Sequence, residues 1–367
     1  MSAHTNRYYT TNIGVTGANW VYNKWKTVAA GRSDITVEQV THSGYPQKSV
    51  ILTINGTDNA SQVIVMGAHL DSILSSGTSE TSRAPGADDD ASGIASLTEV
   101  LRVLVANNYK PRRSIKLMGY AAEEVGLRGS QDIAGRFATA GTNVVGVMQL
   151  DMTNYHGSAS DIYLYTDYTD SQQNAFATNL IKTYQPGVTI GSDKCGYGCS
   201  DHASWYNKGY YTSMPFESAM SQSNPNIHKV SDTYAAMGSK ADSSVPFARL
   251  ALSFAVELGS DGTGLPPPDT KTETFTGTLT KGQSKSFGPF KVKAGGTIKS
   301  STTGTGDIDL YQKLGSVPTT TSFGCKSDGS TSVETCSQTA KINTNAYVLV
   351  HGYTAGNYNL TVTYTPQ

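Results

Sequence analysis

The sequence predicts an α/β fold in which helices sandwich a mostly parallel, twisted sheet, followed by a small all-β sandwich. Through the first 260 residues, strand-like apolar runs alternate with helix-like segments, in the order VIVMGAHLD, ASGIASLTEVLRVLVANN, SIKLMGYAA, LRGSQDIAGRFATA and VVGVMQLD. A βαβαβ order is typical of parallel strands covered by helices. After SDGTGLPPPDTKTE the chain changes to short Thr-, Val- and Tyr-rich alternations punctuated by Gly, which indicate the β-sandwich.

The segment with three prolines sets the predicted domain boundaries. Gly-rich chain followed by PPP can continue neither a helix nor a strand, so we expect a linker there. The predicted boundaries are 1–260 for the α/β domain, 261–271 for the Gly/Pro linker and 272–367 for the β-sandwich.

Composition limits the classes of partner. Lys and Arg number 28 against 29 Asp and Glu, a net charge of −1, so no overall field attracts the chain to nucleic acid or anionic lipid. No apolar stretch approaches the roughly 20 residues of a membrane-spanning helix. We therefore predict neither a nucleic-acid nor a membrane partner. The polar start MSAHTNRYYTT has no signal-peptide pattern, and we expect it to belong to a mature or trimmed form.

The four cysteines form two close pairs, Cys195/Cys199 and Cys325/Cys336, in Gly- and Ser-rich surroundings. Such pairs suit loop-closing disulfides and an oxidising, extracellular location, so we predict a secreted protein. Four cysteines allow three pairings. A zinc site is the alternative, but no further Cys or His lies at finger spacing beside either pair.

Polar residues follow three of the buried strands, where ligands of an open α/β sheet bind. His69 and Asp71 follow the first run, Glu123 and Glu124 the second, and Asp151 the third. These side chains are imidazole and oxygen donors, which suit a metal ion.

The motif PGADDDASG (85–93) places three aspartates before a predicted helix. One aspartate as an N-cap is the simpler interpretation. Three aspartates converging with Glu124 and Asp151 would repel each other strongly unless a cation neutralised them. The sequence therefore predicts a metal centre.

Charge counting indicates two metal ions. Two divalent cations are balanced by Asp89, Glu124, Asp151 and a hydroxide, with His69 and His228 neutral. A central carboxylate can bridge the metals, although spacing alone does not say which aspartate does so. Imidazole with carboxylates favours zinc over calcium or magnesium, while manganese and cobalt could take the same ligands.

Adjacent acids Glu123 and Glu124 are predicted on the first turn of a helix, where their side chains point in different directions. We expect one to bind a metal and the other to take a proton from the metal-activated water, which describes hydrolysis. Asp71 is expected to accept the second N–H of His69. Asp232 could do the same for His228 or be a plain turn residue.

Several motifs together resemble one family, the co-catalytic zinc aminopeptidases of peptidase family M28, and most closely the leucine aminopeptidases secreted by Vibrio and related bacteria. They are GAHLDS, PGADDDASG, YAAEEVGLRGSQD, QLDMTNY, CGYGCSDHASW and NPNIH, and they span nearly all of the first domain. The tail from about residue 272 resembles the pre-peptidase C-terminal domain.

This resemblance implies a zinc exopeptidase fold and a residue-by-residue site. One zinc would be bound by His69 and Asp151 and a second by Glu124 and His228, with Asp89 bridging and Glu123 as the general base acting on a zinc-bridging water or hydroxide. It also implies an unusual peptide geometry at Asp90 and a Cys195–Cys199 disulfide. The implied pocket for a leucine-like N-terminal side chain consists of Met152, Tyr197, Met214, Phe216 and Ile227.

The resemblance further implies peptide substrates with a free N-terminus and a monomeric enzyme. Where relatives place an aromatic at the pocket rim, SAMSQSNPNIH has none. A metallo-carboxypeptidase or glutaminyl cyclase on the same scaffold is the rival enzyme, and a non-catalytic binding module is the alternative of a different class. For the tail, removal on maturation and binding to polysaccharide or cell surface are both open.

Overall fold

The structure is a computed structural model that describes residues 1–260 and 271–366. The chain divides into two compact units, Met1–Leu265 and Pro266–Gln367. Of the predicted linker, residues 261–270 lie outside the described residues, and Lys271 begins a strand. Among the helices that the structure describes, none is both long and apolar enough to span a membrane.

The first unit alternates helices and strands along the chain. Its helices are α1 (Asn12–Val28), α2 (Ala91–Ala106), α3 (Arg128–Thr139), α4 (Ser171–Tyr184), α5 (His202–Tyr206) and α6 (Val245–Gly259), with 3-10 turns at Met220–Gln222 and Asp242–Ser244. Its strands are β1 (Ile35–Val40), β2 (Ser49–Ile54), β3 (Asn59–His69), β4 (Arg113–Tyr120), β5 (Asn143–Gln149), β6 (Ile162–Tyr165), β7 (Ile190–Asp193), β8 (Thr212–Ser213) and β9 (Pro215–Phe216).

The main sheet has the order β1-β2-β4-β3-β5-β8. Strand β3 is parallel to β4 and β5, and β5 is parallel to β8. Strands β1 and β2 add an antiparallel edge beside β4, so the sheet is mixed. The α/β prediction is confirmed, because the segments that supply β3, α2, β4, α3 and β5 are those whose periodicity predicted them. A small sheet, β7-β6-β9, lies outside the main one.

Helices pack on both faces of the main sheet because its central strands are apolar on both sides. On one face, side chains of α1, α2, α4 and α6 form a large core with β2 to β5. On the other, α3 and α5 contribute Ile133 and Trp205 to a smaller core. Phe254 of α6 is fully buried in the large core, and Gly146 of β5 leaves room for its ring.

The second unit is an all-β sandwich, as predicted. Its strands are β10 (Lys271–Leu279), β11 (Ser284–Val292), β12 (Thr297–Gly304), β13 (Ile308–Leu314), β14 (Cys325–Ser327), β15 (Glu334–Thr339), β16 (Thr344–Gly352) and β17 (Gly356–Tyr364). They form the sheets β10-β17-β12-β15 and β11-β16-β13-β14. The Cys325–Cys336 disulfide joins β14 to β15 and therefore links the two sheets covalently.

Replacing Phe254 with Ala is expected to lower the free energy of unfolding of the first unit by about 3–5 kcal/mol, because it leaves a cavity in the large core. Urea unfolding followed by far-UV circular dichroism measures this loss. Val245→Ala at the exposed start of the same helix is the matched control and should change stability little. Equal losses for the two variants would contradict the described core.

Candidate metal centre

The predicted ligands lie where the central strands end. His69 is the last residue of β3, and Asp151 lies two residues beyond the end of β5. Within the parallel sheet, His69 pairs with Tyr120 of β4, and Gly67 pairs with Gln149 of β5. The carboxyl ends of the three strands are therefore aligned, which brings the side chains that follow them together.

Glu123 and Glu124 do not lie on the first turn of a helix, and that prediction is wrong. They follow β4 in a turn, and α3 begins only at Arg128. The amides of Gly126 and Leu127 both donate to the Glu123 carbonyl oxygen, at 2.9 and 2.8 Å. A tight turn, rather than helix geometry, therefore separates the directions of the two acids.

Asp89 lies at the centre of the site and contacts a histidine with each of its oxygens. Its Oδ1 is 2.8 Å from His69 Nε2, and its Oδ2 is 3.0 Å from His228 Nε2. His69 Nε2 is 3.6 Å from Asp151 Oδ1, and His228 Nε2 is 2.8 Å from Glu124 Oε2. The five predicted ligands thus form two clusters, His69/Asp89/Asp151 and Asp89/Glu124/His228, that share Asp89.

The three aspartates of PGADDDASG have three different surroundings. Asp90 is the N-cap of α2: its side chain accepts from Gly93 N at 2.9 Å and from His69 N at 2.9 Å. The carboxylate of Asp88 accepts from Asn154 N and from Asn224 Nδ2. Only Asp89 of the triplet belongs to the described clusters, and the Asp89–Asp90 peptide is cis, in agreement with the unusual geometry expected there.

Asp71 contacts the loop after β4 more closely than it contacts His69. Its carboxylate accepts from the amides of Glu123 at 3.0 Å and Glu124 at 3.2 Å. The expected contact with His69 Nδ1 is 3.5 Å, longer than an ordinary hydrogen bond. Asp71 therefore fixes the backbone that carries both acids, a role that sequence reasoning missed.

The sequence left two interpretations of Asp232 open, a partner of His228 or a plain turn residue, and the carboxylate instead binds main-chain amides. The Asp232 carboxylate accepts from the amides of Asp88, at 3.1 and 3.3 Å, and of Asp89, at 3.1 Å. Burial raises its pKa to about 7, and the charge of Asp89 adds to this effect. Asp232 thus holds the loop that carries the shared carboxylate.

Burial and crowding shift the pKa values of the site strongly. Burial raises the pKa of Glu124 to about 8, with the charge of Asp89 adding to it. Burial also raises the pKa of Glu123, helped by the charges of Asp201 and Asp151. Burial alone would lower the pKa of His228, but hydrogen bonds to Asp89 and Glu124 raise it to about 10. The site thus concentrates negative charge in a buried place.

Several backbone positions at the site lie in the left-handed region, which residues other than glycine rarely adopt. Ala122, Met152 and His228 have φ values of 55°, 57° and 56°. Each such residue costs about 1–3 kcal/mol and persists only where its surroundings impose it. Such residues concentrate at functional sites. Here Ala122 precedes Glu123, Met152 follows Asp151, and His228 is itself a predicted ligand.

A pocket of about 350 Å³ opens beside the two clusters. The five predicted substrate-binding residues all line it: Met152, Tyr197, Met214, Phe216 and Ile227. Sequence reasoning missed three further lining side chains, Leu127, Tyr165 and Met220. Tyr165 is fully buried at the end of β6, so an aromatic ring reaches the pocket from outside SAMSQSNPNIH. The apolar run IYLY could have predicted the strand that ends at Tyr165.

The Cys195–Cys199 disulfide closes a short loop at this pocket. Tyr197 at its tip is 56% exposed, so its ring is available to a bound molecule. The predicted pairing of all four cysteines is therefore present, and the described residues leave no cysteine free.

The donors present fit metal ions. The carboxylate oxygen Oε1 of Glu124 is buried and has no hydrogen-bond partner among the residues that the structure describes. Leaving such a group unpaired is costly, and a cation would satisfy it. Imidazole nitrogens and carboxylate oxygens are also the donor set of co-catalytic zinc sites.

Comparison with known proteins identifies the family of this chain. Residues 49–254 match Peptidase family M28, and residues 289–364 match the bacterial pre-peptidase C-terminal domain. The chain belongs to peptidase family M28.

Similar proteins in this family include leucine aminopeptidases. Leucine aminopeptidase 1 of Emericella nidulans is 37% identical over 272 residues, covering 70% of this chain and 67% of that protein. A probable leucine aminopeptidase of Trichophyton verrucosum is 34% identical over 269 residues, covering 71% and 70%. The LapA aminopeptidase of Legionella pneumophila is 35% identical, covers 71% of this chain and 68% of that chain, and superposes with a TM-score of 0.65. The closer resemblance to Vibrio enzymes stays a prediction.

The first unit also contains a fully buried histidine, His202, that belongs to neither ligand cluster. Burial lowers the pKa of His202 to about 4, against the opposing influence of Asp167. Because the unfolded chain titrates near 6.5, folding disfavours protonation, and stability is lost as pH falls from about 6.5 towards 4.

Replacing His202 with Gln should therefore reduce the loss of unfolding free energy between pH 7 and pH 4.5 by about 2 kcal/mol. Urea unfolding at the two pH values measures this difference. His156→Gln, at an exposed position, should keep the wild-type dependence. Metal release at low pH affects all three proteins alike, and identical pH dependence for His202→Gln would contradict the prediction.

Proposed function

We propose that this chain is a secreted, monomeric metallo-aminopeptidase that removes N-terminal, preferably leucine-like residues from peptides. The observation that carries the proposal is the shared carboxylate. Asp89 contacts His69 with one oxygen and His228 with the other, and each histidine has a second carboxylate beside it. This arrangement suits two cations held a few ångströms apart by one bridging group.

The proposed cofactor is a pair of zinc ions. His69 and Asp151 would hold one, Glu124 and His228 the other, and Asp89 both. Bound zinc would supply a Lewis acid that polarises a carbonyl and lowers the pKa of water from roughly 16 to about 7. The three carboxylates would leave little net charge once both ions were bound, which supports a count of two.

Glu123 is the proposed general base. Its side chain is buried at the wall of the pocket but is outside both clusters. Asp71 holds its amide, so the acid has a fixed position beside the ligand Glu124. A carboxylate in this place can take a proton from the attacking water and deliver it to the leaving amine.

The pocket supports an apolar N-terminal side chain next to a charged amine. Buried Met152, Met214 and Phe216 form one apolar cluster with Tyr165, and Ile227 packs against it. A volume near 350 Å³ accepts a leucine-sized group. The adjacent acids offer negative charge to a free α-ammonium group, which a blocked N-terminus lacks.

The proposed location rests on other features. Two disulfides favour an oxidising compartment, and the pre-peptidase C-terminal domain at residues 289–364 supports secretion as a bacterial protease. We propose boundaries of 1–260 for the catalytic domain and 272–367 for the C-terminal domain. The latter is proposed to take no part in catalysis.

Glu123→Gln should lower kcat for a leucine anilide by about 10²–10⁴-fold, because the amide cannot accept the proton. Its zinc content, measured by mass spectrometry, should equal that of the wild type. Glu99→Gln on the exposed side of α2 is the matched control and should keep full activity. Turnover near the wild-type rate in zinc-loaded Glu123→Gln would remove Glu123 from the mechanism.

A free amine should be required. Leucine amide should be hydrolysed with a kcat/KM on the order of 100-fold or more above that of N-acetyl-leucine amide, because acetylation removes the charge that meets the acids. Equal rates would exclude an aminopeptidase. Release of C-terminal residues from an N-acetylated peptide would indicate a carboxypeptidase, and ammonia release from N-terminal glutamine would indicate a cyclase.

A further inference from the structure

Arg7 is a fully buried arginine in the segment before α1. Its guanidinium donates to main-chain carbonyl oxygens of the two loops beside the metal centre. Nε binds Leu70 O at 2.8 Å, Nη2 binds Gly86 O at 2.8 Å, and Nη1 binds Pro85 O. Nη2 also lies 3.5 Å from the carbonyl of Asp89. One side chain thus ties the chain after His69 to the chain before α2.

Further hydrogen bonds connect Arg7 to the loop after β4, which carries Glu123 and Glu124. The carbonyl oxygen of Arg7 accepts from Gln47 Nε2 at 2.9 Å, and Gln47 Oε1 accepts from Ala122 N at 3.2 Å. Ala122 immediately precedes Glu123. The Arg7 amide donates to Ser72 Oγ at 3.0 Å. Arg7 therefore contacts, directly or through Gln47, the chain that follows His69 and the loops that carry Asp89 and Glu123.

Close approach at two glycines makes this position possible. Gly86 has a φ of 49°, and a Cβ there would lie 2.8 Å from Arg7 Nη2 and 2.3 Å from Asp89 O. A Cβ at Gly17 of α1 would lie 3.3 Å from the Arg7 side chain. Gly86 therefore lies against the guanidinium, and Gly17 lies against the aliphatic part of the same side chain.

Charge gives the residue a second influence on the site. Burial lowers the pKa of Arg7, while the negative charges of Asp89, Asp232, Asp90 and Asp71 oppose that change. An arginine stays protonated even so. A permanent cation whose hydrogen bonds go to carbonyls leaves its charge available to offset these four carboxylates.

We propose that Arg7 is a positioning residue for the metal centre, fixing the chain that follows His69 and the loop that carries Asp89, and balancing the charge behind the shared carboxylate. The inference rests on the proposed function only in taking these side chains as zinc ligands. It assigns Arg7, in the NRYY segment, to a site whose first ligand along the chain, His69, lies 62 residues later.

Arg7→Met and Arg7→Lys test the proposal. Methionine keeps much of the volume but removes charge and donors. Lysine keeps the charge as a point and loses the fork that spans the two loops. The zinc dissociation constant, measured by competition with a chromogenic chelator, should rise about 10–100-fold in Arg7→Met and by a smaller factor in Arg7→Lys.

Trp25→Phe is the matched control. Trp25 is fully buried on α1 and its Nε1 donates to Thr98 Oγ1 of α2 at 2.9 Å, so the variant destabilises the helix that follows Arg7 and removes no hydrogen bond to the segments that carry the ligands. Thermal unfolding identifies the temperature at which all the proteins are folded. At that temperature Trp25→Phe should bind zinc with wild-type affinity.

Wild-type zinc affinity in folded Arg7→Met overturns the proposal, and so does a loss in Trp25→Phe equal to that in Arg7→Met. If Arg7→Met does not fold, Arg7→Lys decides: weakened binding supports the proposal and unchanged binding overturns it. Failure of the proposed function is distinguishable, because the wild-type protein itself would then bind no zinc or hydrolyse no leucine amide.

Discussion

The site depends on one electrostatic constraint: a buried cluster of carboxylates whose negative charge Arg7 offsets only in part. Asp89, Asp151 and Glu124 meet two histidines within a few ångströms, and their side chains are almost fully buried. Burial and mutual repulsion raise the pKa of Glu124 to about 8. In the interior such repulsion is expensive, and divalent cations between the groups remove it.

Much of the surrounding fold serves to hold this unfavourable cluster in place. Parallel β3, β4 and β5 end at one edge, so their following residues meet there. Asp232 and Asp71 accept hydrogen bonds from main-chain amides of the loops that carry Asp89 and Glu123. Arg7 donates to main-chain carbonyl oxygens of the loop before α2. The site is thus built by backbone hydrogen bonds as much as by the ligand side chains themselves.

The sequence predicted the parts of the fold and site that repeat a local pattern. Apolar runs followed by His69, Glu124 and Asp151 indicated strand ends, and strand ends in a parallel sheet must converge. Contacts between distant segments had no such signal. Arg7 lies in a polar stretch without periodicity, and the turn that holds Glu123 was mistaken for a helix start because acids often begin helices. Likewise, the role of Asp232 depends on which amides face it, which no spacing encodes.

The most direct test of the central claim is the zinc stoichiometry of the purified full chain and of Asp89→Asn, measured by native mass spectrometry. We expect two zinc ions in the wild type. In Asp89→Asn we expect both to bind more weakly, since each cluster loses the same ligand when the shared carboxylate becomes an amide. A wild-type chain that binds none, or an Asp89→Asn chain that retains two with unchanged affinity, would contradict this expectation.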